Sequence, residues 1–112
     1  MTRAPITTHI LNLSTGTPAA GVKATLTSPQ SNTPVACGVT DADGRISQWD
    51  QEISLTPGTW SIDFSTASWF SERGEDSFYD NVTLSFKVVD TEQHYHVPLL
   101  LNAFGYSTYR GS

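Results

Sequence analysis

The sequence has little of what most functional classes need. It contains one cysteine, Cys37, so no internal disulfide framework can form. It has 6 Lys and Arg against 11 Asp and Glu, a net charge of −5. That balance argues against nucleic-acid or anionic-membrane partners, whose fields attract basic surfaces. No apolar run approaches membrane-spanning length; the longest includes Val97-Pro98-Leu99-Leu100-Leu101. The first residues, Met1-Thr2-Arg3-Ala4-Pro5, lack the apolar stretch of a secretory signal. The expected residence is the cytoplasm, or the peroxisome if the source is eukaryotic. Also missing are a Gly-x-Ser-x-Gly elbow, a phosphate-binding loop, a nucleotide fingerprint and a glycosidase-like acid pair. Repeats, low-complexity tracts and linkers are absent too, and 112 residues suffice for one core, so a single domain over 1–112 is expected.

What is present is alternation. Val22, Ala24 and Leu26 point one way and Lys23, Thr25 and Thr27 the other. The same period runs through Trp60-Ser61-Ile62-Asp63-Phe64 and Val82-Thr83-Leu84-Ser85-Phe86. Each reads as a half-buried strand. Further strands are expected at 7–13, 34–40, 94–101 and 106–109, with a very short one at 45–47. Turn signals fall between them at Ser14-Thr15-Gly16-Thr17-Pro18, Asp41-Ala42-Asp43-Gly44 and Thr56-Pro57-Gly58. One short helix is predicted at 67–73, with Gly74 as its closing residue. The pattern is an all-β sandwich. Cys37, between Val35-Ala36 and Gly38-Val39, reads as a buried small hydrophobe rather than a reactive thiol.

The chemistry-bearing residues are few. His94 and His96 share one face of their strand, opposite the more apolar Tyr95, Val97 and Leu99. His9 lies opposite Ile10 on another strand. Three readings fit these histidines. They can be satisfied structural side chains. They can be zinc ligands, since His-x-His on a strand presents two imidazoles on one side and His9 supplies a third, although no fourth group is marked. Or they can do acid–base work, because imidazole exchanges a proton near neutrality. Arg45, after the Asp41-Ala42-Asp43-Gly44 turn, is a candidate for stabilising a developing oxyanion. The closing segment Tyr109-Arg110-Gly111-Ser112 concentrates an aromatic ring and a cation in few residues, unlike a disordered polar tail.

That closing segment resembles the signature of the 5-hydroxyisourate hydrolases, or transthyretin-related proteins. Three more segments resemble the same family in the same order. They are Thr8-His9-Ile10-Leu11-Asn12 with the following Thr15-Gly16-Thr17-Pro18-Ala19, then Asp41-Ala42-Asp43-Gly44-Arg45, then His94-Tyr95-His96-Val97-Pro98-Leu99-Leu100-Leu101. The resemblance spans essentially the whole chain. It implies a transthyretin-like (prealbumin-like) β-sandwich of two four-stranded sheets with one short helix. It also implies a homotetramer with active sites at the dimer–dimer interface, and hydrolysis of 5-hydroxyisourate in urate degradation with no cofactor and no metal. Carried across by position, His9, Arg45, His96 and Ser112 are the implied catalytic residues. Substrate binding is implied for His9, Arg45, Tyr109, Arg110 and Gly111. Asp80 stands where the family usually has proline, and Asn102-Ala103-Phe104 also departs from its pattern; both lie in expected connections. A hormone carrier of transthyretin type is the competing class, and a zinc hydrolase built on the three histidines is the other alternative.

Overall fold

A computed structural model of the chain describes residues 3–112. Its elements, in order, are β1 (Ile6–Asn12), β2 (Thr17–Pro18), β3 (Lys23–Thr27), β4 (Ala36–Val39), β5 (Arg45–Ile46), β6 (Gly58–Phe64), α1 (Thr66–Ser71), β7 (Val82–Val88), β8 (Tyr95–Asn102) and β9 (Gly105–Thr108). They form two sheets. One runs β2-β1-β8-β9, with β5 also paired to β1, and the other runs β4-β3-β6-β7.

Alternation decides what faces inward. Ile6 and Ile10 of β1, Tyr95, Val97, Leu99 and Leu101 of β8, Ala24 and Leu26 of β3, Trp60, Ile62 and Phe64 of β6, and Val82, Leu84 and Val88 of β7 are all buried in one cluster. Burying each large side chain contributes about 1.5–3 kcal/mol, so the two inner faces hold the sheets together. Polar groups drawn into this layer are bonded. Thr8 donates to the Val97 carbonyl at 2.6 Å, and Trp49 Nε1 donates to the Ile6 carbonyl at 2.8 Å.

The helix is short, as expected, but begins at Thr66 and ends at Ser71 rather than spanning 67–73. Its inward residues Trp69 and Phe70 meet edge to face, with centroids 5.1 Å apart. Beyond Ser71 the chain tightens into a Schellman closure: Gly74 N–H bonds the Ser71 carbonyl and Glu75 N–H the Phe70 carbonyl, each at 3.0 Å. Gly74 sits at φ +72°, a conformation L side chains avoid.

Other expectations shift in detail. Two short segments extend the first sheet to five strands. Thr17–Pro18, read as part of a turn, pairs with Leu11 and Asn12, and Arg45–Ile46 pairs with Thr8 and His9. The Cys37 expectation was wrong: the thiol is exposed. It lies on β4 at the edge of its sheet, where alternation turns Ala36 inward and Cys37 outward. Its backbone N–H is bonded to Asp50 Oδ1 at 2.7 Å. Among the described residues no helix is long and apolar enough to cross a membrane.

Candidate active site

The outer face of the first sheet collects the polar residues. β1 and β8 run parallel, with Thr7 beside His96 and His9 beside Pro98. On the other side of β1, Arg45 of β5 stands opposite His9. Paired residues on adjacent strands share a face, about 4.8 Å apart. Register therefore places His9, Thr7, His96 and Arg45 together, although they lie far apart in sequence.

Arg45 is held by its turn. Asp41 Oδ1 accepts from Asp43 N–H at 2.9 Å and from Arg45 N–H at 3.0 Å. The Gly44 carbonyl receives the Ile10 N–H at 2.7 Å, which docks the turn onto β1. Gly44 is required twice over. Its φ is +75°, and a Cβ there would lie 2.5 Å from the Ile10 carbonyl oxygen.

The closing segment lies along β8. Gly111 N–H donates to the His96 carbonyl at 2.9 Å. A Cβ at Gly111 would strike the His96 ring, so only glycine allows this approach. A cleft of about 110 Å³ results, lined by Arg3, Thr7, Arg45, Ser47, His96 and Ser112. A larger cavity, about 430 Å³, opens between β7 and β8–β9 and is lined by Tyr95, His96, Val97 and Tyr109 among others. It is the more apolar of the two; His96 borders both, with Lys87 and Arg110 as the cations of the larger, but Arg45 and Ser112 meet His96 in the smaller.

The expected site residues thus divide. His96, Arg45 and Ser112 converge on the small cleft, and His9 is close enough for its charge to act on His96. Tyr109 is 57% exposed and lines the larger cavity. Arg110 is turned away from the cleft. Its guanidinium lies 4.6 Å from the centroid of the Tyr95 ring and donates to Gln93 Oε1 at 2.9 Å and the His94 carbonyl at 3.3 Å. Gly111 contributes by its lack of a side chain. Thr7, Arg3 and Ser47 are cleft residues that sequence reasoning missed. The only signal was that Thr7, two residues before His9, shares its face.

Electrostatics favour a neutral His96. Partial burial lowers its pKa most, Arg45 lowers it further, and His9, His94 and Arg3 add repulsion, the two histidines only when protonated. His94 is lowered in the same way, by burial and then by Arg3, partly offset by a hydrogen bond with the Ala4 backbone. A neutral imidazole next to a guanidinium can take a proton from water while the cation receives negative charge forming on a substrate. As to metal, His94 Nε2 and His96 Nδ1 both bond the Thr7 hydroxyl, at 2.9 and 2.8 Å. Among the described residues no group of three or more His, Cys, Asp or Glu is placed to hold an ion.

Comparison with known proteins identifies the family. The model of the HIUase/Transthyretin family matches residues 6–111. The chain belongs to that family. A 5-hydroxyisourate hydrolase of Salmonella dublin is 41% identical over 109 residues, covering 96% of this chain and 80% of that protein. Among solved structures, the 5-hydroxyisourate hydrolase of Klebsiella pneumoniae superposes with a TM-score of 0.84 at 36% identity, over 96% of this chain and 92% of that one. Sea bream transthyretin, crystallised with thyroxine, gives a TM-score of 0.88 at 28% identity, over 96% and 95%. Backbone shape is therefore common to that hydrolase and to transthyretin, and the side chains of the outer face have to distinguish them.

Proposed function

We propose that the chain is a single domain over residues 1–112 that hydrolyses 5-hydroxyisourate, a step of urate degradation, without a cofactor. The observation that carries this reading is the convergence of a neutral His96, Arg45 and Ser112 on one small polar cleft. The named relatives support it, being 5-hydroxyisourate hydrolases at 36–41% identity.

The mechanism follows from the groups available. His96 removes a proton from water, and the resulting hydroxide adds to a ring carbonyl of the substrate. Arg45 receives the charge on the carbonyl oxygen by paired N–H donors. The tetrahedral adduct collapses with cleavage of the ring C–N bond. The departing nitrogen takes the proton that His96 acquired, and the ring opens to a carboxylic acid that ionises. His9 stands near enough to assist this return. Ser112 bounds the cleft, while Tyr109 lines the larger cavity that His96 also borders.

A cleft of about 110 Å³ is small beside typical ligand pockets of ~300–1,000 Å³. This supports a homotetramer in which a second copy completes each site at the dimer–dimer interface. Assembly would also cover the exposed Phe104 and Tyr106 on and beside β9.

The deciding experiment follows freshly generated 5-hydroxyisourate by ultraviolet absorbance with metal-free protein. Decay far above the spontaneous rate, lost in a folded His96→Ala variant, is the expected result. Unaccelerated decay with folded protein would move the assignment to a ligand carrier, the reading that the likeness to sea bream transthyretin otherwise supports. Activity that needs added metal would point to a zinc hydrolase instead.

A further inference from the structure

The Thr7 hydroxyl lies between two imidazoles, 2.9 Å from His94 Nε2 and 2.8 Å from His96 Nδ1. A hydroxyl has one proton, so it donates to one ring and accepts from the other. The tautomers of the two histidines are thereby linked. We infer that Thr7 and His94 are positioning residues that hold His96 as its Nδ1–H tautomer, leaving the Nε2 lone pair free to act as the base. This inference rests on the hydrolase reading given above.

The direction of the chain follows from its end in the cleft. His96 lines the cleft with Arg45 and Ser112, and its Nδ1 is turned to Thr7, so Nε2 is the nitrogen left for proton transfer. A neutral imidazole carries one proton, so a basic Nε2 puts that proton on Nδ1, which donates it to the Thr7 oxygen. Thr7 then donates its own proton to Nε2 of His94, whose ring proton sits on Nδ1. Were the chain reversed, Nε2 would carry the proton and His96 could not take one from water. Burial and Arg3 both keep His94 neutral, which is the form this direction requires.

Fold geometry makes the arrangement rigid. Thr7 is 6% exposed, and its β-branched side chain has few rotamers available. The parallel pairing of β1 with β8 sets Thr7 beside His96, and His94 is the residue just before β8 begins.

Nitrogen-15 correlation spectra of the histidine rings, with steady-state kinetics, test the inference. In the unaltered protein at neutral pH, His96 should show a protonated Nδ1 and a bare Nε2. Thr7→Val keeps the shape but removes the hydroxyl. It should mix the His96 tautomers and lower kcat on the order of 10- to 100-fold, the usual cost of losing a partner that fixes an imidazole, with KM little changed. Thr7→Ser should restore both readouts. His94→Phe, at a half-buried site that tolerates change, should leave Thr7 free to donate to His96 Nδ1 and so populate Nε2–H, again lowering kcat. A wild-type spectrum showing Nε2–H at His96 would overturn the inference. So would Thr7→Val and His94→Phe variants with unchanged tautomer and unchanged kcat. Failure of the hydrolase reading is separable: it would show as undiminished turnover in His96→Ala, whereas the ring spectra report on the relay whatever reaction the protein performs.

Discussion

Replacing Gly111 by alanine should inactivate the protein without unfolding it. A Cβ at this position would lie 3.1 Å from His96 Cγ and 3.2 Å from Pro98 Cγ, and closer still to His96 Cδ2. Ordinary carbon–carbon contacts are about 3.5–4.0 Å, so every one of these approaches is too short. Pro98 is buried and paired to His9 within the sheet, so it cannot yield. The His96 ring or the closing segment must move by about 1 Å, a misplacement that costs on the order of 100-fold in rate. That corresponds to about 2.7 kcal/mol of barrier. Because the segment is short and its neighbours are largely exposed, the melting temperature should barely change. Gly105→Ala is the internal control. It makes the same substitution on β9, where the nearest contact of a Cβ would be Asn102 Oδ1 at an ordinary 3.8 Å. Turnover of 5-hydroxyisourate should fall in Gly111→Ala and stay normal in Gly105→Ala. A Gly111→Ala protein with near wild-type kcat would refute the claim that this glycine exists to admit the His96 ring.

Further outcomes follow from the same structure. Burial first, then Arg45 and the other cations, hold the His96 pKa below the ordinary imidazole value of about 6.5. Its neutral form therefore persists at pH 6.5, and kcat/KM should fall only as the pH drops through the lowered value. Stability should follow the same sign, since the unfolded chain binds the proton first and gains on the folded state as pH falls below about 6.5. Arg45→Met should move the acid limb upward as well as slow the reaction; a limb that stays in place would remove Arg45 as a cause. Away from the site, Thr40 is buried, donates to the Ala19 carbonyl at 2.7 Å and accepts from Val22 N–H at 2.8 Å. Thr40→Val strands both backbone groups, and urea unfolding should register a loss of about 2–4 kcal/mol at unchanged kcat. A loss under about 0.5 kcal/mol would mean that water or relaxation replaces these bonds.

Much of this protein can be read along the chain because strand alternation is local. It follows from the backbone of each residue and needs no partner. Tyr95, Val97 and Leu99 inward, with His96 outward, could be assigned from eight consecutive residues. So could the Asp41–Gly44 turn, whose side-chain bonds span only four positions. The resemblance of four ordered segments then pointed to the family that the comparison identifies. Cys37 shows the limit of composition. Apolar neighbours suggested burial, but exposure on an edge strand depends on which strands lie alongside, and no flanking residue records that. Arg110 shows it again: the signature groups it with the cleft, but its guanidinium is drawn to Tyr95 and Gln93.

The sequence by itself determined the β-sandwich, its inner and outer faces and the types of group available for chemistry. Tertiary structure alone decided that β1 and β8 run parallel in the register that sets Thr7 against His96, 89 residues away. Sliding one strand by two residues would keep every side chain on its face yet take Thr7 out of its place between the two histidines. Alternation therefore cannot specify that choice. It is made by the fit of the whole inner layer, where the large side chains of both sheets must pack without voids.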